Sequence, residues 1–162
     1  MGEGDPKGQA TTSRLFLGID HTAIVVGDTV ASLRYYRDVL GLQVAGESEN
    51  FGPEQERLNN VLGARLRITT LRAAAGPGVE WLEYLAPRAG RPAPVDLKAN
   101  DLAYWLIHFV VSAAEAASSA ARAARGALIN PGIVALTDGR LGFRHGALAC
   151  DRDGHAVELA EP

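Results

Sequence analysis

His21-Thr22-Ala23-Ile24-Val25-Val26-Gly27-Asp28-Thr29 runs from a β-branched segment through a glycine turn into a residue suited to cap a helix. Working outward, residues 17–26 read as a strand. From residue 30 to 40 the apolar positions Val30, Leu33, Tyr36, Val39 and Leu40 recur at helical spacing, and Gly41 sits where a left-handed C-cap is wanted. Three strand-like runs follow, at residues 42–47, 64–73 and 79–85. Residues 53–60 between them read as a polar excursion or short helix. The order is βαβββ.

Residues 87–100 (PRAGRPAPVDLKAN) contain three prolines and read as a linker that joins no sheet. Beyond it the same order returns. Residues 103–111 form a strand, residues 113–125 an alanine-rich helix ended by Gly126, and residues 127–136, 141–150 and 155–160 three strands. Alanine dominates every side of that helix, so little amphipathicity is expected. A unit this small cannot bury its own sheet face, so the duplication predicts two modules that share one core or cleft. The expected division is a tail at 1–16, a first module at 17–86, a linker at 87–100 and a second module at 101–162.

The chain has 162 residues, 47% hydrophobic and 22% charged, which fits a globular protein and neither a disordered nor a fibrous one. Its formal net charge is −3 and its basic residues are scattered, unlike a nucleic-acid footprint. One cysteine, Cys150, excludes an internal disulfide. No run has the length of a membrane span or the make-up of a signal peptide, so a cytoplasmic protein without nucleic-acid or membrane partners is expected. The opening MGEGDPKGQATTS is polar and reads as a mobile tail, with Pro6 spoiling a myristoylation pattern at Gly2.

His21 through Asp28, with Ser32, Tyr35-Tyr36 and Leu40-Gly41, resembles the opening module of the vicinal oxygen chelate superfamily. Asp151-Arg152-Asp153-Gly154-His155-Ala156-Val157-Glu158 resembles its closing turn and strand. The superfamily includes glyoxalase I, methylmalonyl-CoA epimerase, extradiol dioxygenases, fosfomycin-modifying enzymes and bleomycin-resistance proteins. The resemblance covers nearly all of residues 17–162 and implies an α+β fold of two βαβββ modules, rolled into paired half-barrels around a cleft. It further implies metal ligands on the first and last strands of both modules. His21 stands at the family's first-strand histidine. Glu83, four residues before Pro87, resembles its fourth-strand carboxylate, and Glu80, on the opposite strand face, is the rival. Glu158 matches the last-strand carboxylate. His108 is the histidine of the strand opening the second module. The family spacing counted back from Val111 reaches Leu106, and the two positions point to the same strand face.

His21, Glu83, His108 and Glu158 together form a mixed nitrogen and oxygen set suited to a divalent Zn, Ni, Co, Mn or Fe ion. The expected function is a glyoxalase-like or epimerase-like isomerisation of a small oxygen-chelating substrate through a metal-stabilised enediolate, with Glu158 or Glu83 as the base. An Fe(II) dioxygenase and a non-catalytic drug-binding resistance protein are the alternatives, and a homodimer is expected from the family's modular pairing. His155 reads as a turn residue, Cys150 as a buried structural thiol, and Arg144 and His145 as a strand edge or loop that could reach an anion. Trp81, Tyr104, Trp105 and Phe143 are shared between core packing and cleft lining.

Overall fold

Asp28 starts the first helix as its sequence position suggests. Its backbone is extended, and its carboxylate accepts a hydrogen bond from the Ala31 amide at 3.0 Å, satisfying one of the helix's free donors. The computed structural model describes residues 15–124 and 126–162. The expected tail therefore lies outside the described residues, apart from Leu15 and Phe16, which are exposed.

The first module comprises β1 (His21–Val25), α1 (Thr29–Tyr36), β2 (Gln43–Phe51), α2 (Pro53–Asn59), β3 (Arg65–Arg72) and β4 (Gly78–Ala86). The second comprises β5 (Leu106–Val110), α3 (Ala114–Ala123), β6 (Ala127–Leu128), β7 (Val134–Ala135), β8 (His145–Cys150) and β9 (Ala156–Glu161). Strand order is β1-β4-β3-β2 in one sheet and β5-β9-β8-β6 in the other, with β7 beside β8. In each sheet the first strand pairs parallel with the last, and every other pairing is antiparallel. The architecture is the α+β fold expected, open rather than closed.

Several boundaries differ for local reasons. The strands expected at 17–26 and 103–111 shorten to His21–Val25 and Leu106–Val110. The expected strand at 127–136 is two short strands, because Pro131 and Gly132 interrupt the pairing. Asn130 stabilises the break, accepting from the Leu148 amide at 2.9 Å and donating to the Gly132 carbonyl at 2.8 Å. The strand expected from 141 begins at His145, after a 3-10 turn at Gly139–Leu141 and a left-handed Gly142. The alanine-rich α3 buries Ala114, Ser118 and Ala121, a helical stripe of small residues that lets it lie close to the sheet. Among the described residues no helix is long and apolar enough to cross a membrane.

One apolar cluster draws on both modules. Ile24, Val26, Tyr35, Tyr36, Leu71, Val79 and Trp81 from the first meet Ala121, Ala149, Val157 and Leu159 from the second. Tyr36 and Trp81 pack edge to face at 4.6 Å and are both fully buried, each contributing roughly 1.5–3 kcal/mol of burial. Polar bonds reinforce the junction. The Tyr36 hydroxyl donates to Asp151 at 3.0 Å, and the Gly27 amide donates to Asp153 at 2.9 Å.

Candidate functional site

Strand alternation sorts the chemistry. On β4, Val79, Trp81 and Glu83 point to the shared core side, whereas Gly78, Glu80 and Leu82 point to the outer face of the sheet. On β1, Ile24 is buried while His21, Ala23 and Val25 look outward with the even-numbered β4 residues. Glu80 is therefore the carboxylate beside His21, with His21 Nε2 3.5 Å from Glu80 Oε2. The Thr70 hydroxyl donates to the other Glu80 oxygen at 2.9 Å and fixes the carboxylate.

Glu83, the expected ligand, is on the opposite face. Its carboxylate accepts from the Thr29 amide at 3.2 Å at the start of α1, from Arg67 at 3.1 Å and from Arg88 at 3.4 Å. Its role there is to close a helix end, and the geometry directs it away from His21. The second module repeats this device: the Ala114 amide, at the start of α3, donates to Glu161 at 2.8 Å. Val26 bonds Leu82 and Val111 bonds Ala160 in the same way, so Glu80 and Glu158 occupy equivalent positions, as do Glu83 and Glu161. The signal for Glu80 lay in the sequence. Val79 and Trp81 mark the odd-numbered β4 positions as the core side, and Glu83 shares their parity.

His108 lies directly opposite Glu158 in the β5–β9 register, and its Nδ1 is 2.7 Å from Glu158 Oε2. The structure thus brings these two together. Relative to Val26 and Val111, His21 corresponds to Leu106, and His108 to Ala23, so the two histidines stand one pleat apart in the repeat. Phe143 packs edge-on against His108 at 5.5 Å. Gly146 makes room for that ring, since a Cβ there would meet Phe143 at 2.7 Å. Tyr104 is near Glu158 and Cys150; burial, then these two groups, push its phenol above the ordinary range, and its hydroxyl has no partner among the described residues.

The other residues singled out in the sequence separate cleanly. Trp81 is core, Trp105 is half exposed, and Cys150 is partly buried. His145 reaches Glu161 at 3.8 Å. His155 is at a turn and is also a structural tie, its Nδ1 2.9 Å from the buried Asp151 carboxylate that holds Tyr36.

Each histidine–glutamate pair supplies one imidazole and one carboxylate, the mixed donor set of first-row divalent metals. His21 stands between two carboxylates, its Nδ1 2.8 Å from Asp20 and its Nε2 3.5 Å from Glu80, the second spacing being near the ~3.4 Å between two ligands of a tetrahedral ion with ~2.05 Å bonds. Among the described residues no three His, Cys, Asp or Glu side chains gather closely enough to hold a metal, so the two pairs are separate within one chain.

Residues 18–159 match a family model described as Glyoxalase/Bleomycin resistance protein/Dioxygenase superfamily. Among solved structures, a glyoxalase family protein from Bacillus cereus aligns with a TM-score of 0.75 and 20% identity, over 95% of this chain and 98% of that one. The trypanothione-dependent glyoxalase I of Leishmania major aligns at 0.60 and 18%, over 90% and 87%. A fosfomycin resistance protein from Mesorhizobium loti aligns at 0.56 and 17%, over 90% and 92%. Comparison of the sequence with curated proteins finds no match.

Proposed function

The chain belongs to the Glyoxalase/Bleomycin resistance protein/Dioxygenase superfamily, and on that premise we propose that it is a metal-dependent enzyme acting on a small substrate with two adjacent oxygens. His21 and Glu80 of one chain and His108 and Glu158 of a second would hold the ion. The observation carrying this reading is one half-site per module, each with one imidazole beside one carboxylate and neither complete. Both are on sheet faces turned away from the core the modules share, so a homodimer that apposes the first module of one chain to the second of another unites four donors. An ion held by these residues would supply Lewis acidity to the two substrate oxygens and so make the carbon beside them more acidic.

The chain's own groups supply the proton handling. Glu80 and Glu158 are partly exposed on the outer sheet faces and can accept a proton from that carbon and return it. Glu83 is occupied by Thr29, Arg67 and Arg88 and takes no part. Asp20 orients His21, Thr70 orients Glu80, and Phe143 packs against the His108 ring. The reaction that fits is an isomerisation of the glyoxalase or epimerase type.

Elemental analysis of protein purified from metal-supplemented cells tests this. We expect close to one divalent ion per chain, lost on either His21→Ala or His108→Ala with the fold intact by circular dichroism. Metal-free wild-type protein, or variants that retain the ion, would contradict it.

A further inference from the structure

Helix α2 is inserted between β2 and β3 and roofs the outer face of the first sheet, leaving a groove of about 330 Å³ that ends at Glu80. Its floor is apolar, formed by Ile68 and Leu82 over the fully buried Leu66, with the largely exposed Leu58 of α2 also lining it. Its rim is built from uncharged hydrogen-bonding groups: Ser48 and Asn50 from β2, and Gln55 and Asn59 from α2. Asn59 accepts from Gln55 and donates to the Tyr84 hydroxyl at 2.9 Å, which fixes both the amide orientation and the height of the roof. Ser48 and Asn50 make no side-chain hydrogen bond among the described residues, so their polar atoms are available.

No lysine or arginine lines this groove. Arg65 and Arg67 of β3 alternate to the other face, where they engage Glu49 and Glu83. Arg72, a cation on the outer face, is in the row of His21 and Gly78, past Glu80 from the groove, and is tied to Asp20. An anionic group entering the groove would lose its hydration beside the Glu80 carboxylate with no positive partner, whereas an apolar body carrying one neutral polar group would find its complement there.

We propose that this groove receives an uncharged side group of the substrate, an apolar body bearing a hydroxyl or carboxamide, and that Asn50, Gln55 and Asn59 set this specificity against anionic groups. The inference rests on the metal-site reading for the location of the substrate's chelating oxygens. It excludes substrates that place a carboxylate or phosphate in the groove.

The test uses two probes that share adjacent chelating oxygens and differ in one group, benzohydroxamate and 4-carboxybenzohydroxamate, titrated calorimetrically into the full chain with and without Ni(II). The expected result is at least tenfold tighter binding of the neutral probe. In Asn50→Lys, and independently in Gln55→Lys on α2, the gap should close or reverse, with metal content unchanged. Neutral preference without any bound metal would uphold the groove and overturn the metal reading. Equal affinities, tighter binding of the carboxylate, or no binding of either probe by the nickel-loaded protein would overturn the proposal.

Discussion

The two modules share a scaffold and differ in what they present to solvent. Glu83 and Glu161 both close a helix start, Gly41 and Gly126 both follow a helix, and Glu80 and Glu158 stand at one position of the repeat. The histidines are one pleat apart, α2 roofs only the first sheet, and Phe143 covers only the second histidine. Scaffold positions answer to needs every βα unit has, namely satisfied helix amides and a short connection. On the proposed reading the outer-face positions serve one substrate held between two unlike halves, so they are free to diverge.

The largest effect should come from the tie between the modules, whose carboxylate and imidazole only the second half provides. Asp151 is a deeply buried carboxylate held by Tyr36 and by His155, and Asp151→Ala should cost about 3–5 kcal/mol in urea denaturation. The pair also predicts a pH profile. Burial pulls the His155 pKa down, but the hydrogen bond and charge of Asp151 prevail and raise it above 6.5. Burial pushes Asp151 up, but its bonds to His155 and Tyr36 hold it below 3.8. The His155 contribution is therefore complete below pH 6.5 and is lost as pH rises through its raised value. The Asp151 contribution is complete above pH 3.8 and is lost as pH falls through its lowered value. Wild-type stability should decline on both sides of that window, and Asp151→Ala should lack both declines.

The equivalent glycines should separate next. A Cβ on Gly126 would be 2.9 Å from the Ala121 and Cys150 carbonyls and from the Tyr35 ring, so Gly126→Ala should cost about 2–3 kcal/mol. Gly41 has open space but a φ of 78°, so Gly41→Ala should cost only about 1 kcal/mol. Equal losses by denaturant titration would mean that the two helix ends are built alike after all. Smallest is the capping pair. Glu83→Gln and Glu161→Gln keep an acceptor for the helix amide and should each cost about 0.5 kcal/mol and leave bound metal unchanged, whereas Glu80→Gln should remove the metal. Metal analysis of the three variants checks this directly.

The fold was largely legible because its signals are local: a β-branched run, an Asx cap, helical spacing and glycine stops, each repeated. The interruption at Pro131-Gly132 is equally local, a proline and a glycine inside the run expected as one strand at 127–136. The site was legible in residue type more than in facing. His21 and Glu158 follow from the family resemblance, but the choice between Glu80 and Glu83 depends on strand parity, which Val79 and Trp81 reveal once the sheet's buried side is known. The direct apposition of His108 and Glu158 depends on register between β5 and β9, a long-range pairing that no local signal encodes. The Tyr36–Asp151–His155 tie was invisible for the same reason.

The central claim is that the two half-sites of different chains make one metal centre, and complementation tests it. One variant carries His21→Ala with Glu80→Ala, the other His108→Ala with Glu158→Ala. Alone, neither should hold an ion. Co-expressed in equal amounts, they should recover about a quarter of the wild-type metal, since half the dimers are mixed and each of these keeps one whole site. Metal retained by either variant alone, or no recovery on mixing despite a wild-type dimer that holds metal, would contradict the account.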